Sequence, residues 1–299
     1  MKIGITGGTG LIGKLLVEHA KVRGDSVVIF SRKIDSSPTD SMIEYRHWNP
    51  ADGSMDRVDD LDLLINLAGS PLAAWPMTKQ RKVDIKTSRV RSGETIVEHI
   101  QRASVKPKAL FQASAIGAYG INENEDLNEE SNYGSDYFAD VCRHWEASTK
   151  AVESMGVRRV VGRIGLVLHP DGGFLPKLIA PFQLYIGGPL GNGEQWYSWI
   201  HKDDLARAIF FTLDTPDVTG VVNLTAPNPA KMDDFGRTLA GIIGKPYWLP
   251  VPAFALKLVL GDLSPLIIGG QKVLPLRLLA SHFNFNYEKL EPALRDILA

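Results

Sequence analysis

The apolar positions of this chain change their period in a regular order from the first residues onward. Lys2 to Thr6, "KIGIT", is a short β-type run, and Leu11, Ile12, Leu15, Leu16 and His19 then recur at helical spacing. Further strand-like runs lie at Ser26–Phe30, Leu61–Leu67, Ala109–Ala113 and Val157–Ile164, with helical stretches over Thr78–Ala103 and Ser135–Met155. Strand alternating with helix predicts an α/β fold: a Rossmann-type, doubly wound parallel sheet covered on both faces. Ligands of such sheets bind at the carboxyl ends of the strands, near the switch in strand order.

After about residue 165 the texture changes. "HPDGGFLPKLIAPFQLYIGGPLGNGEQWYSWI" is rich in Gly, Pro and aromatics, and "IHKDDLARAIFFTLDTP" returns to a helical pattern. The expected organisation is a nucleotide-binding domain over 1–165 to which 199–225 return. A smaller, partly interleaved substrate lobe takes 166–198 and 226–299. Phe182, Trp196, Tyr197 and Trp199 read as lining of a cleft in that lobe or as its core.

The glycines supply the first chemistry. Gly7, Gly8, Gly10 and Gly13 join the first strand to the first helix. A tight turn and a close backbone approach to a pyrophosphate need residues without a Cβ, and the helix N-terminus offers unpaired N–H groups. Gly7, Thr9, Gly10, Leu11, Ile12 and Gly13 are therefore expected to cradle a dinucleotide. At the end of the second strand an acid would take the ribose hydroxyls of NAD; here stand Ser31, Arg32 and Lys33. A guanidinium suits a 2′-phosphate, so the expected cofactor is NADP(H), the alternative being a solvated loop arginine. Leu67, Ala68 and Gly69, and then Ser114, fall at two further strand ends and, with Cys142, complete the expected cofactor site.

Composition narrows the remaining choices. The 299 residues carry a formal net charge of −1, which leaves no bulk field for nucleic acid or an anionic membrane. The apolar stretch from Phe254 to Ala280 is broken by Lys257, Asp262, Lys272 and Arg277, too often for a spanning helix. Cys142 is the only cysteine, which excludes an internal disulfide and points to a reducing, cytoplasmic setting. No Cys/His spacing suggests a metal site. The expected partners are an unidentified small-molecule substrate and, in a homodimer, a second copy.

"TGGTGLIG", "INLAG", "SAIGAYG" and "WIHKDDLARAI" together resemble the extended short-chain dehydrogenase/reductases. "QRKVDIKTSRV", "VCRHWEA", "GPLGNGEQWYSWIH" and the C-terminal "GQKVLPLRLLASHFNFNYEKLEPALRDIL" are similar to the YfcH-type branch, epimerase-family proteins with a C-terminal domain of unknown function. The resemblance implies a Rossmann fold, NADP(H) and a substrate lobe. It also implies a tyrosine as general acid/base, a lysine four residues on, and a serine at the preceding strand end.

Ser114 fits the serine. Tyr119, Tyr133, Tyr137, Tyr197 and Tyr287 are followed four residues later by Glu123, Tyr137, Val141, His201 and Glu291, so none begins the Tyr-x-x-x-Lys pair. Aligned on Glu146, the tyrosine position holds Phe138 and the lysine position Cys142. Tyr137 is one residue away, about 100° around a helix. Phe138, Val141, Cys142 and Trp145 form an apolar stripe at helical spacing, so Cys142 reads as a small buried hydrophobe or as a reactive thiol near the nicotinamide.

Tyr119 is the alternative acid/base, against a packing role. His201 suits proton transfer by its pKa range or serves a structural hydrogen bond. Asp203 and Asp204 read as a helix cap and a surface charge. Arg163 and Lys82 read as anion binders or as members of ion pairs. "RHWNPADG", Arg46–Gly53, reads as a surface loop. Two functions stand: an NADP(H)-dependent oxidoreductase or epimerase on a carbonyl or sugar-nucleotide-like substrate, and a non-catalytic NADP(H)-binding, redox-sensing or interaction protein.

Overall fold

The computed structural model describes residues 1–34, 40–71 and 77–299. The chain forms two compact units: Met1–Ala115 with Asp140–Gly162 and Ala206–Val222, and Ile116–Ala139 with Arg163–Leu205 and Asn223–Ala299.

The first unit is organised by one sheet. Its strands are β1 (Lys2–Thr6), β2 (Ser26–Ser31), β3 (Ile43–Asn49), β4 (Ser54–Met55), β5 (Leu63–Asn66), β6 (Ala109–Ala115), β7 (Arg158–Ile164) and β8 (Gly220–Leu224). Their order is β8-β7-β6-β5-β1-β2-β3-β4. β1 pairs in parallel with β2 and β5, β2 with β3, and β5 with β6, while the short β4 closes the edge antiparallel to β3. The order reverses on either side of β1, so the doubly wound parallel sheet is as expected, and the switch lies where the glycine turn leaves β1. Helices α1 (Leu11–Val22), α2 (Lys79–Arg102) and α3 (Tyr137–Ala147) follow strands or lead into them. Val28, Phe30, Leu64, Ile96, Ile100 and Leu110 belong to the buried core that joins α2 to the sheet.

Arg46–Gly53 is not a loop throughout. Arg46 to Asn49 lie in β3, and Arg46 is buried. Its guanidinium makes two 2.7 Å bonds to the Asp60 carboxylate and one to Glu44. This fork against two carboxylates lets a charged residue lie in a covered strand, and it holds the Asp60 carboxyl well below its usual range. Turn chemistry begins only at Asn49, whose amide bonds Asp52.

The second unit has its own core. Leu175 and Phe182 on α4 (Leu175–Gln183), and Met232, Phe235 and Leu239 on α6 (Met232–Ile243), pack with Tyr197, Trp199 and Leu294. In sequence, α5 (Lys202–Asp214) lies between α4 and α6, and its residues from Ala206 onward belong to the first unit. The cleft reading of the aromatics is corrected here for three residues: Phe182, Tyr197 and Trp199 are buried, with ring contacts such as Tyr197 to Phe235 at 5.8 Å. Burial of these large rings is what lets so glycine-rich a stretch hold one conformation. No helix of the described residues is long and apolar enough to cross a membrane.

Candidate functional site

The expected cofactor residues of the first unit stand at four strand ends and one helix start. Gly7 takes a left-handed backbone (φ +73°), and its carbonyl accepts the Gly10 N–H at 3.0 Å. A Cβ on Gly13 would lie 2.2 Å from the Gly7 oxygen and 2.6 Å from the Gly8 Cα. Only glycine at residue 13 allows the turn to fold against the first turn of α1. Gly10 is the N-cap of α1, contributes no side-chain cap, and is followed by no acid in the first turn. The leading N–H groups and the positive end of the helix are therefore left for an anion. A pyrophosphate fits this arrangement.

At the end of β2, Ser31 is half-buried and its Oγ accepts the Lys33 N–H at 3.2 Å. Arg32 and Lys33 are exposed, and Arg32 makes no ion pair among the described residues. A 2′-phosphate would find cations here. Beyond β5, the Leu67 N–H donates to the Thr6 carbonyl and the Ala68 N–H to Asn66 Oδ1. The sequence did not disclose the network that fixes these ends. Thr6 and Ser92 hydroxyls donate to Asn66 Oδ1 at 2.7 and 3.0 Å, and Asn66 Nδ2 donates to Gln112 Oε1 at 2.8 Å. All four side chains are fully buried. The available signal was a polar residue closing each apolar strand run ("GIT", "LLIN", "LFQ").

The acid/base candidates are placed otherwise than expected. Ser114 is buried and its hydroxyl donates to Glu146 Oε1 at 2.6 Å. This short, charge-assisted bond commits the hydroxyl to α3 and withdraws it from the role of meeting a substrate oxygen. Cys142 is also buried, with its sulfur 3.8 Å from the Ala115 carbonyl. Burial and then the Glu146 charge push its thiol up to about 11. This environment favours the thiol over the thiolate, the form a nucleophile needs, and suits the reading of Cys142 as a small buried hydrophobe. Val141 and Trp145 are buried and Phe138 half-buried, as a packing stripe requires.

In the second unit Tyr119 lies in a 3₁₀ turn, buried, with its hydroxyl donating to Asn223 Oδ1 at 2.6 Å. The Arg163 guanidinium sits 4.7 Å from the Tyr119 ring and 4.6 Å from that of Tyr133. Burial pushes the Tyr119 phenol above its usual range. This burial and the bond to Asn223 suit a packing role. His201 is fully buried. Its Nδ1 accepts the Asp203 N–H at 3.2 Å, and its Nε2 is 3.1 Å from Asp296. Its ring lies 3.9 Å from that of Tyr287. His201, Asp203 and Asp296 bring ligand-type atoms within 4.8 Å, but both ring nitrogens already serve hydrogen bonds. Asp204 is no surface charge: it is buried and accepts the Asn286 and Tyr287 N–H groups at 2.9 and 2.8 Å.

A family model described as the NAD dependent epimerase/dehydratase family matches residues 3–224. The chain belongs to this family. Residues 251–297 match a second model, a domain of unknown function. The chain is 40% identical to an epimerase family protein of Staphylococcus haemolyticus, over 98% of both chains. It is 38% identical to a chloroplastic epimerase family protein of Arabidopsis thaliana, covering all of this chain and 87% of that one. Among solved structures, the human epimerase family protein SDR39U1 with NADPH superposes with a TM-score of 0.91 at 28% identity, over 99% of both chains. A UDP-N-acetylglucosamine 4-epimerase of Bacillus cereus, at 16% identity and a TM-score of 0.77, shares the fold alone. Family membership agrees with the glycine turn and the sheet order.

Proposed function

We propose that this chain is an NADP(H)-dependent oxidoreductase that reduces a small carbonyl substrate without a tyrosine–lysine pair. The observation that carries the reading is the Gly7–Gly13 turn against the open N-terminus of α1, with Arg32 exposed at the end of β2. Support comes from the human relative, whose structure contains NADPH. The bound cofactor supplies hydride. The chain supplies the rest: the turn and α1 hold the pyrophosphate, Arg32 with Ser31 and Lys33 holds the 2′-phosphate, and Leu67 to Gly69 line the far side. The proton that completes the alcohol is drawn from water, because Phe138 and Cys142 occupy the proton-transfer positions. Epimerisation at an alcohol carbon is less favoured, since it begins with removal of a hydroxyl proton by a base. The compartment we expect is the cytoplasm, where a lone buried thiol persists.

A second reading is favoured by the same committed hydroxyls: an NADP(H)-binding module with no turnover. Two measurements separate them. Fluorescence titration should show NADPH bound about tenfold or more tighter than NADH, a difference of roughly 1.4 kcal/mol, with the preference lost in Arg32→Ala. Incubation with 4-deuterated NADPH and a panel of aldehydes and ketones should then deposit deuterium on one face of a product alcohol. Tight NADPH binding with no transfer to any acceptor would select the binding module. Failure to bind either nucleotide would sink both readings.

A further inference from the structure

The second unit carries an apolar surface that its own core leaves uncovered. Leu184, Tyr185 and Trp248 are each more than half exposed, and so are Phe254 and Leu258 on α7 (Ala253–Leu260). The first three are fixed in place. Tyr185 takes a left-handed backbone (φ 62°), which a residue with a Cβ rarely adopts. Its carbonyl accepts the Trp248 ring N–H at 2.9 Å, and the Gly187 carbonyl accepts the Trp248 backbone N–H at 2.9 Å. A Cβ on Gly188 would lie 2.0 Å from the Leu249 carbonyl oxygen, so only glycine lets the turn over 184–188 dock here. Backbone strain is thus retained while two aromatic rings stay in solvent, the reverse of what core packing asks. α7 continues the surface. Residues 248–250, 252 and 254 are exposed, and six residues of chain span at most about 20 Å. The helix, "AFALKLVL", is apolar on every side except at Lys257. Such a pattern belongs in a core or in lipid. Phe254 (74% exposed) and Leu258 (85%), one turn apart on one face, instead stand in solvent.

Charge indicates what covers this surface. Residues 184–191 include no charged side chain, and residues 244–261 include Lys245 and Lys257 and no acid. Neither lysine makes an ion pair among the described residues, and Lys245 Nζ lies 3.9 Å from the centre of the Tyr185 ring. Asp233 is taken by Arg237 and the Tyr247 hydroxyl, and Asp262 lies beyond the end of α7. The whole-chain charge of −1 conceals this local excess of two cations. A second copy would bring the same face against itself, lysines toward lysines with no acid in either segment to meet them. Trp, Tyr, Phe and Leu flanked by lysines suit the boundary between headgroups and acyl chains, where rings and aliphatic tips enter and ammonium groups reach lipid phosphates. We propose that this surface of the second unit docks peripherally on an anionic lipid bilayer. Leu184, Tyr185, Trp248, Phe254 and Leu258 enter the acyl boundary, and Lys245 and Lys257 meet headgroup phosphates. The arrangement requires no spanning helix and is independent of the cofactor reading.

The test is flotation of the full chain with vesicles of phosphatidylcholine alone, or of equal parts phosphatidylcholine and phosphatidylglycerol. We expect binding to the mixed vesicles about tenfold or more tighter than to phosphatidylcholine, and weaker at high salt. Phe254→Ser combined with Leu258→Ser should weaken it about tenfold or more, and Lys257→Gln about fivefold. All three residues are exposed, so the urea midpoint should stay in place. In the unsubstituted protein, which avoids any question of folding, brominated lipid should quench the indole emission, and Trp248→Phe should remove most of that quenching. No binding to either vesicle, binding that survives the Phe254 and Leu258 changes, or quenching that survives Trp248→Phe overturns the proposal. So does a dimer in vesicle-free solution that the Phe254 and Leu258 changes convert to monomer, which would assign the surface to a second copy.

Discussion

Ser114 and Glu146 are joined by a 2.6 Å hydrogen bond in which the serine hydroxyl donates to a buried carboxylate. The bond links the end of β6 to α3, and it occupies the hydroxyl that would otherwise be the first choice to bind a substrate oxygen. A buried hydrogen bond to a charged group contributes about 1.5–3 kcal/mol. Ser114→Ala should therefore lower the unfolding midpoint in urea and leave NADPH affinity within about twofold. An unchanged midpoint with a collapse of hydride transfer would restore Ser114 to the chemistry.

Gly13 tests the cofactor turn by space alone. With 2.2 Å between a new Cβ and the Gly7 carbonyl oxygen, the turn in Gly13→Ala must open. Both the backbone donors and the α1 N-terminus then move away from the pyrophosphate. Titration should show NADPH affinity down by more than about tenfold, with roughly 1–3 kcal/mol of stability lost to the clash. Native-like binding in a folded Gly13→Ala protein would contradict the turn geometry.

Cys142 should be inert while the chain is folded. With the thiol pushed up to about 11, about one molecule in a thousand carries the thiolate at pH 8. Iodoacetamide followed by mass spectrometry should give no adduct in buffer and full modification in urea. Rapid labelling of the native protein would revive a reactive cysteine at the lysine position.

His201 should make the second unit sensitive to acid. Burial lowers its folded pKa from 6.5, against the opposing pull of Asp203 and Asp296. The unfolded chain then takes up a proton at a pH where the folded chain does not. The stabilising contribution is complete above about pH 6.5. It is lost progressively as pH falls toward the lower folded pKa. Urea midpoints measured from pH 7.5 to 5 should decline in the unsubstituted protein and decline less steeply in His201→Gln. Parallel slopes would remove His201 from this effect.

How much of this was legible in one dimension follows from the range of each interaction. The pattern of β1, the glycine turn and α1 is local, and periods of two and 3.6 with glycines between them state it directly. The absence of an acid after β2 and of a Tyr-x-x-x-Lys pair can likewise be read off the chain. Where a side chain spends its hydrogen bonds is decided by residues far away in sequence. Ser114 meets Glu146 32 residues on, and Tyr119 meets Asn223 104 residues on. A free and a committed hydroxyl look alike until such partners arrive. Arg46 has the composition of a loop residue until Asp60 is folded against it. The parallel sheet and the glycine turn could be read from the chain, because backbone conformation and periodicity are properties of neighbouring residues. Which polar groups remain available for chemistry could not, because burial and pairing are properties of residues brought together by the fold.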